Sequence, residues 1–360
     1  MKTGTSAVRW GVVGCGQIAV DKSIPGLLAS SQARLVAIAD PLPSRRELAL
    51  GLARQTGVAD VRAYPEAEAL FADPGVDAVY LALPTGDHAR AVKAAAAAGK
   101  GILCEKPLGR SAQEVGAMVD AARRSGVPLM TAYMSRFSDV FQQAVRLVRD
   151  GAIGQVTYVA GHFSYPCLDC YPPGAPGGWR WTDPQGGGPL LDIGIYLAFG
   201  IREILGERVA RVWPVNCDTI GPRGSAVRDT TVAAFVTEHG TAGTFVATFA
   251  HSASTLGFFG ANGTLMITDA FRQTPGAHLV CHGRDGEFVL DTRADPALPH
   301  YDNYRREFEH FSSAWLAQRT PRPTPEEVLA DAILLDTLKQ SIAGLPVPPV
   351  ETTLSASPQP

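Results

Sequence analysis

The sequence predicts an α/β protein in two parts. A doubly wound parallel sheet comes first, and an α/β domain on a large, mostly antiparallel open sheet follows. Three observations predict this. Up to about residue 132, short apolar runs alternate with helical patterns. A glycine-rich turn closes the first of those runs. Beyond residue 151 the texture changes to strand-length runs separated by tight turns. Alternation of strand and helix argues for a parallel sheet, and strands joined by tight turns argue for an antiparallel one.

In the first part, residues 8–13, 35–39, 78–81, 101–104 and 128–132 read as buried strands, with helical patterns at 88–98 and 111–125 between them. Ser111 followed by Glu114 is a capping box for the second of these helices. In the second part, strands are expected at 156–163, 209–217, 230–238, 241–251, 263–268, 278–282 and 287–290. Glu238-His239-Gly240 and Ala261-Asn262-Gly263 supply turns. One helix, 189–203, interrupts this series, and helices return at 301–318 and 324–344, the latter opened by Thr324, Pro325 and Glu327. The expected domains are 1–132 and 133–323, with the last helix packing back on the first domain and a tail at 345–360.

Composition narrows the function. The chain has 360 residues, 46% of them hydrophobic, and a net charge of −3. That balance gives no reason to expect nucleic acid or an anionic membrane surface as a partner. No apolar run reaches the roughly 18–20 residues of a membrane span, and the segment 10–13 is too short for a signal peptide. A cytoplasmic enzyme is expected. Six cysteines in a chain of this length do not make a disulfide framework.

Gly14-Cys15-Gly16-Gln17-Ile18-Ala19 follows the first strand and opens a helix. The pattern is G-x-G-x-x-A. Gly14 permits the tight turn, Gly16 lets backbone approach a pyrophosphate, and small Ala19 allows close helix–strand packing. Gln17 and Ile18 stand where the helix N-terminus offers N–H donors to phosphate. Asp40 ends the second strand, 21 residues past Ala19. These contexts together identify a Rossmann dinucleotide-binding domain. Asp40 at the ribose hydroxyls favours NAD. Arg45 and Arg46 are alternatives that stack on adenine, reach a 2′-phosphate or stay solvated, so NADP is left open.

Two further segments carry chemistry. Glu105-Lys106-Pro107 lies at the carboxyl end of a strand, where ligands bind in such sheets. The stretch GGGPLLDIGIY, residues 186–196, puts Asp192 and Tyr196 four apart on one face of an apolar helix. Either could be structural: Tyr196 a core aromatic, Asp192 a helix-end residue, and Lys106 an ion-pair partner of Glu105.

GCGQIA, the segment 77–85 ending in Pro84-Thr85, His88, Glu105-Lys106-Pro107 and GGGPLLDIGIY occur in the order found in Gfo/Idh/MocA oxidoreductases, and the chain resembles that family over roughly residues 8–344. The D-x-G-x-Y form of the helix motif, with Arg180 ahead of the glycines, resembles the glucose–fructose oxidoreductase and dihydrodiol dehydrogenase branch. The resemblance implies hydride transfer between NAD(P) and a hydroxyl or keto carbon of a sugar, glycoside or polyol. It implies a homo-oligomer, dimer or tetramer, through the second sheet. Lys106 and Tyr196 become an acid–base pair, with Asp192 anchoring substrate or orienting the lysine. Free tyrosine and lysine titrate near about 10; a neighbouring lysine is expected to lower the phenol. Pro84, Thr85, His88, Glu105, Lys106 and Arg136 are implied at the cofactor. For His88 a packing role, and for Arg136 an ion pair, are the alternatives.

The Pro-, Gly- and aromatic-rich segment 164–188 reads as an irregular lid. In it Tyr165, Tyr171, Trp179 and Trp181 could stack on a sugar or aglycone face, and Arg180 could bind a carboxylate or hydroxyls; Trp179 and Arg180 are candidate substrate contacts. Cys167 and Cys170 form a lone C-x-x-C, too few ligands for zinc, so no metal is expected and a disulfide or two thiols remain. A sugar–sugar oxidoreductase holding its nucleotide tightly, and a silent nucleotide-bound sensor, are the competing functions.

Overall fold

The computed structural model describes residues 7–339 apart from 176, 183–185, 223, 272–275, 294 and 296–297. The expected tail and the end of the last helix, 340–344, lie outside the described residues.

The first unit comprises β1 (Val8–Val13), α1 (Ile24–Leu28), β2 (Ala33–Ala39), α2 (Pro43–Gln55), β3 (Arg62–Tyr64), α3 (Ala67–Phe71), β4 (Ala78–Leu81), α4 (Thr85–Ala97), β5 (Gly101–Glu105), α5 (Ala112–Arg124) and β6 (Leu129–Ala132). Its six strands are all parallel, in the order β3-β2-β1-β4-β5-β6. β1 lies between β2 and β4, which run to opposite sides of it. That makes the end of β1 the switch point, where a crevice opens. Strands buried on both faces need continuous apolar sequence, and Ala78–Leu81 is buried throughout. β3 escapes the sequence reading because it is a three-residue edge strand of largely exposed residues.

The second unit follows α6 (Asp139–Arg149). It holds β7 (Val156–Ser164), a short helix α7 (Cys167–Cys170), and α8 (Ile195–Leu205). The strands β8 (Val209–Cys217), β9 (Thr230–Thr237), β10 (Ala242–Thr248), β11 (Ala253–Gly260), β12 (Gly263–Thr268), β13 (His278–Gly283) and β14 (Gly286–Asp291) complete it. Their order is β14-β13-β12-β11-β7-β10-β9-β8, and every neighbouring pair is antiparallel except β7 with β10. The single strand expected at 241–251 is a correction: β10 ends at Thr248 and a separate strand, β11, begins at Ala253. Glycines and small residues hide β11. A Cβ on Gly260 would lie 2.1 Å from the Ile153 carbonyl oxygen, so that position needs glycine.

One face of this sheet is covered by α8. Gly161 makes room, since a Cβ there would approach Leu197 to 2.9 Å. Phe245, Leu256, Phe258, Leu265 and Ile267 are buried beneath the helix side, whereas Tyr158, Trp213, Val215 and Val232 on the other face are exposed.

The last two helices are α9 (Asp302–Leu316) and α10 (Pro325–Lys339). The sequence reading puts α9 with the second domain; the helix packs on the turn Met134–Phe137 and on α1, β1 and β2. Trp10 of β1 anchors it, with ring centroids 5.0 Å from Phe308 and Phe311 and an Nε1 hydrogen bond of 3.1 Å to Ser312. α10 touches both units, through α5 on one side and α8 on the other. Asp331 accepts two bonds from the buried Arg202, at 2.8 and 3.0 Å, and Asp336 accepts from the Ala112 amide at 2.6 Å.

Candidate active site

A cleft of about 690 Å³ opens at the switch point. Gly14, Gly16, Gln17, Ile18, Asp40, Arg45 and Pro84 line it, as the sequence anticipated. Gly14 has φ +88°, and a Cβ there would meet the Ala82 carbonyl oxygen at 2.4 Å, so only glycine makes this turn. The helix after the loop opens with a π turn, Ala19–Ser23. Asp40 is held by the backbone it borders: its carboxylate accepts from the Cys15 amide at 2.8 Å and the Leu42 amide at 2.9 Å. A carboxylate offers about four lone-pair sites, so two remain for a ribose. Arg45 donates to the Cys15 carbonyl at 3.3 Å and lies over the glycine loop, while Arg46 donates to the Asp40 carbonyl at 2.6 Å. Cys15 is an inert filler, its thiol pushed up to about 12 by burial and by Asp40.

The end of β5 delivers Lys106. A second π turn, Leu190–Gly194, precedes α8 and carries Asp192. Lys106 Nζ donates to the Asp192 carbonyl at 3.0 Å, lies 3.4 Å from its Oδ1, and sits 4.7 Å from the Tyr196 ring centroid. The three residues named from sequence therefore meet around one ammonium group.

Asp192 is the hub. Its Oδ2 accepts from Tyr165 Oη at 2.6 Å and from Arg180 Nε at 2.9 Å. Burial opposes its ionisation, but Arg180 and Lys106 outweigh burial and hold the carboxyl far below its ordinary value. Arg180 is expected from sequence at the substrate; here it is paired with Asp192, with its guanidinium 4.1 Å from the Tyr171 ring and 4.6 Å from Trp179. Tyr171, Trp179 and Arg180 also line the nucleotide cleft, so the lid closes one side of it. The lid is partly regular: it contains α7 and a 3₁₀ turn, Gly178–Trp181. Cys167 and Cys170 are free thiols.

Tyr196 departs from expectation. Its phenol is pushed well above its usual value, first by burial and then by Glu105, Asp192 and Glu307, so the expected lowering by Lys106 does not occur. Glu105 and Glu307 themselves are raised, chiefly by burial.

The remaining candidates are buried or half-buried. Glu105 accepts from Tyr80 Oη at 2.5 Å and from the Lys106 amide at 3.1 Å, fixing the lysine's backbone. His88 is buried beside the carbonyls of Leu83 (2.9 Å) and Pro107 (3.0 Å), a clamp between two loops at the cleft. Thr85 is buried at the start of α4 against Gly186, whose added Cβ would come 3.0 Å from it. Arg136 is buried on Glu203 at 2.7 Å, the ion-pair alternative. Tyr165, expected to stack on a sugar, instead binds Asp192, a partner that no local pattern in the lid announces.

Residues 8–133 match the Gfo/Idh/MocA oxidoreductase family, with its NAD-binding Rossmann fold, and residues 141–266 match the C-terminal domain of that family. The chain belongs to the Gfo/Idh/MocA family. It is an NAD(P)-dependent oxidoreductase. D-xylose 1-dehydrogenase (NADP⁺) 2 of Haloferax volcanii is 34% identical over 93% of this chain and 97% of that protein. A mouse trans-1,2-dihydrobenzene-1,2-diol dehydrogenase is 36% identical over 56% of this chain and 57% of its own length. Among solved structures, an aldose–aldose oxidoreductase of Caulobacter crescentus, complexed with glycerol, superposes with a TM-score of 0.82 at 25% identity, covering 93% of this chain and 97% of the other. A 3-ketoreductase of Actinomadura kijaniata with NADP and TDP-benzene gives 0.78 at 26% identity, covering 93% and 98%. Variants of that ketoreductase with a lysine or a tyrosine replaced are also among the similar structures.

Proposed function

We propose that the protein moves a hydride between a nicotinamide dinucleotide and a hydroxyl or keto carbon of a sugar, glycoside or polyol, with Lys106 and Tyr196 handling the proton. The observation that carries this reading is the position of Lys106 at the end of β5, between Asp192 and the Tyr196 ring. Relatives that act on xylose, on a ketosugar nucleotide and on aldoses support the substrate class.

The residues of the cleft fit the dinucleotide, because the Gly14–Gly16 turn leaves backbone bare where a phosphate would sit. Gly14, Gly16, Gln17 and Ile18 would hold the pyrophosphate, Asp40 the ribose, and Arg45 a 2′-phosphate where one is present. The bound cofactor supplies the hydride site.

Everything else falls to the chain. Tyr196, a neutral phenol, donates its proton to a keto oxygen during reduction and is left as a phenolate that solvent reprotonates; the oxidative direction runs the same step backwards, from the phenolate. Lys106, fixed by Asp192, places a positive charge beside the oxygen that gains charge during reduction. Arg180 and Tyr165 keep Asp192 ionised and stationary.

A sugar–sugar oxidoreductase that retains its nucleotide is favoured as a second reading by the lid residues lining the cleft and by the likeness to the aldose–aldose enzyme. The exposed apolar face of the second sheet, bearing Trp213, Val215 and Val232, is the contact of a homo-oligomer in this reading, and the enzyme works in the cytoplasm.

The test is to denature the purified protein, identify released nucleotide by mass spectrometry, and titrate emptied protein with NADH and NADPH before screening aldoses and polyols. Retained nucleotide selects the sugar–sugar reading; exchangeable binding with turnover selects the dehydrogenase. Absence of binding to either cofactor refutes both.

A further inference from the structure

Behind Lys106 lies a chain of polar groups that the reaction scheme does not use. Tyr80 stands in β4, a strand otherwise made of Ala78, Val79 and Leu81. Its ring is fully buried and meets Phe308 of α9 edge-on, with centroids 5.4 Å apart. Phenylalanine would fill that space as well. Burying a hydroxyl is unfavourable unless it is hydrogen-bonded, so the phenolic oxygen calls for a reason.

The hydroxyl has a partner on each side. It donates to Glu105 Oε1 at 2.5 Å and lies 2.8 Å from Ser23 Oγ. Ser23 is also buried and closes the π turn behind the glycine loop. Glu105 Oε2 accepts from the Lys106 amide at 3.1 Å. With Tyr80 donating to Glu105, its oxygen is free to accept from Ser23, so both hydroxyl protons point toward the carboxylate. Burial, then Glu105, pushes the Tyr80 phenol well above its ordinary value, so it keeps the proton that it donates. A hydrogen bond to an ionised acceptor is roughly twice as strong as a neutral one. Glu105 therefore ties the backbone of Lys106 to β4 and to the turn at the nucleotide loop.

Lys106 is thus held from two sides. Asp192 of the second unit takes its ammonium group, and Glu105 takes its amide. Glu105 can fix that amide only if its own carboxylate is fixed, and Tyr80 does this. The setting matters because a misplacement of about 1 Å at a reacting group can cost about 10²-fold in rate.

We propose that Tyr80 is a positioning residue: through Glu105 it sets the backbone of Lys106, and Ser23 steadies it from the nucleotide loop. The proposal rests on the role given to Lys106 above.

The test is steady-state and single-turnover hydride transfer by Tyr80→Phe, Lys106→Ala and the double variant, with the best aldose or polyol of the screen above as substrate. Tyr80→Phe keeps the ring against Phe308 and removes only the hydroxyl. It is expected to lower kcat about tenfold, the lower end of what a hydrogen bond to a charged group is worth, with KM and nucleotide Kd within about twofold. In the Lys106→Ala background the same replacement should add no further loss beyond about twofold, because a residue that acts through the lysine has nothing left to position. Ser23→Ala breaks the chain one bond earlier and should lower kcat a few-fold with the same split from KM. Circular dichroism should be unchanged in each variant. Wild-type kcat in both Tyr80→Phe and Ser23→Ala, or a tenfold loss from Tyr80→Phe that persists without the lysine side chain, would overturn the proposal and leave Tyr80 a packing residue. Should Lys106→Ala itself keep the wild-type rate, the reading of Lys106 falls and this proposal with it; a slow Lys106→Ala beside a fast Tyr80→Phe refutes the proposal alone.

Discussion

The glycine loop and the Lys106–Asp192 cluster stand at two sides of one opening and are built in contrasting ways. The loop is backbone. Gly14 and Gly16 present bare main chain, and the one carboxylate nearby, Asp40, is steadied by amides. The cluster is side chains, and its charges already engage one another. Asp192 holds Lys106, Arg180 and Tyr165 simultaneously. A backbone cradle tolerates many neighbours but few substitutions within itself. A charge cluster around one hub makes each member depend on the rest, so single replacements there should propagate.

Replacing the cluster's centre should do the most damage. Lys106→Ala is expected to lower kcat by about 10²–10⁴-fold, the range of general acid–base and electrostatic groups, with nucleotide Kd nearly unchanged. Steady-state kinetics beside fluorescence titration with NADH and NADPH check this. Tyr196→Phe should cost about 10²-fold in rate; activity close to wild type would return Tyr196 to a packing role.

Arg180→Ala should be milder, about tenfold, and should change the shape of the pH profile. With Arg180 present, Asp192 is ionised throughout the working range, because its folded value is depressed. A depressed carboxyl contributes stability that is present above the unfolded value near about 3.9 and is lost as pH falls through the folded one. Removing Arg180 raises Asp192 and should move acid denaturation and the acid limb of kcat/KM to higher pH; a superimposable profile would deny Asp192 its role as hub.

The smallest effects belong to the loop's edge. Asp40→Ala should weaken NADH binding more than NADPH binding, and Arg45→Ala the reverse, each by a few-fold to about tenfold. Titrations of both variants with both cofactors read this directly.

The contrast also explains what sequence revealed. The loop was legible because it needs a fixed glycine spacing next to a strand and a helix, and Gly14, Gly16 and Asp40 lie where that pattern implies. Lys106, Asp192 and Tyr196 were legible as a set because two local motifs carry them. Their partners were not. Arg180 looked like a substrate contact, and only the folded lid shows it turned onto Asp192. Glu105 and His88 sit inside the motifs but are engaged by Tyr80 and by the Leu83 and Pro107 carbonyls, since a motif fixes position and not side-chain partners. Tyr196's phenol is raised first by burial and then by Glu105, Asp192 and Glu307, the last of them 111 residues away on α9. β11 was missed because it opens on Ala-Ser-Thr and holds glycines at 257 and 260 where a run of apolar or β-branched residues would mark a strand, and α9 was placed with the second domain because nothing local states what its apolar stripe covers.

The central claim is that Lys106 and Tyr196 act as one proton-handling unit. A double-mutant cycle on single-turnover hydride transfer, using Lys106→Ala, Tyr196→Phe and the double variant with cofactor saturating, tests it most directly. Groups that act together are non-additive. The account predicts that the double variant is no slower than the slower single variant within about twofold. Losses that multiply, so that the double variant falls by the product of the two single effects, would contradict it.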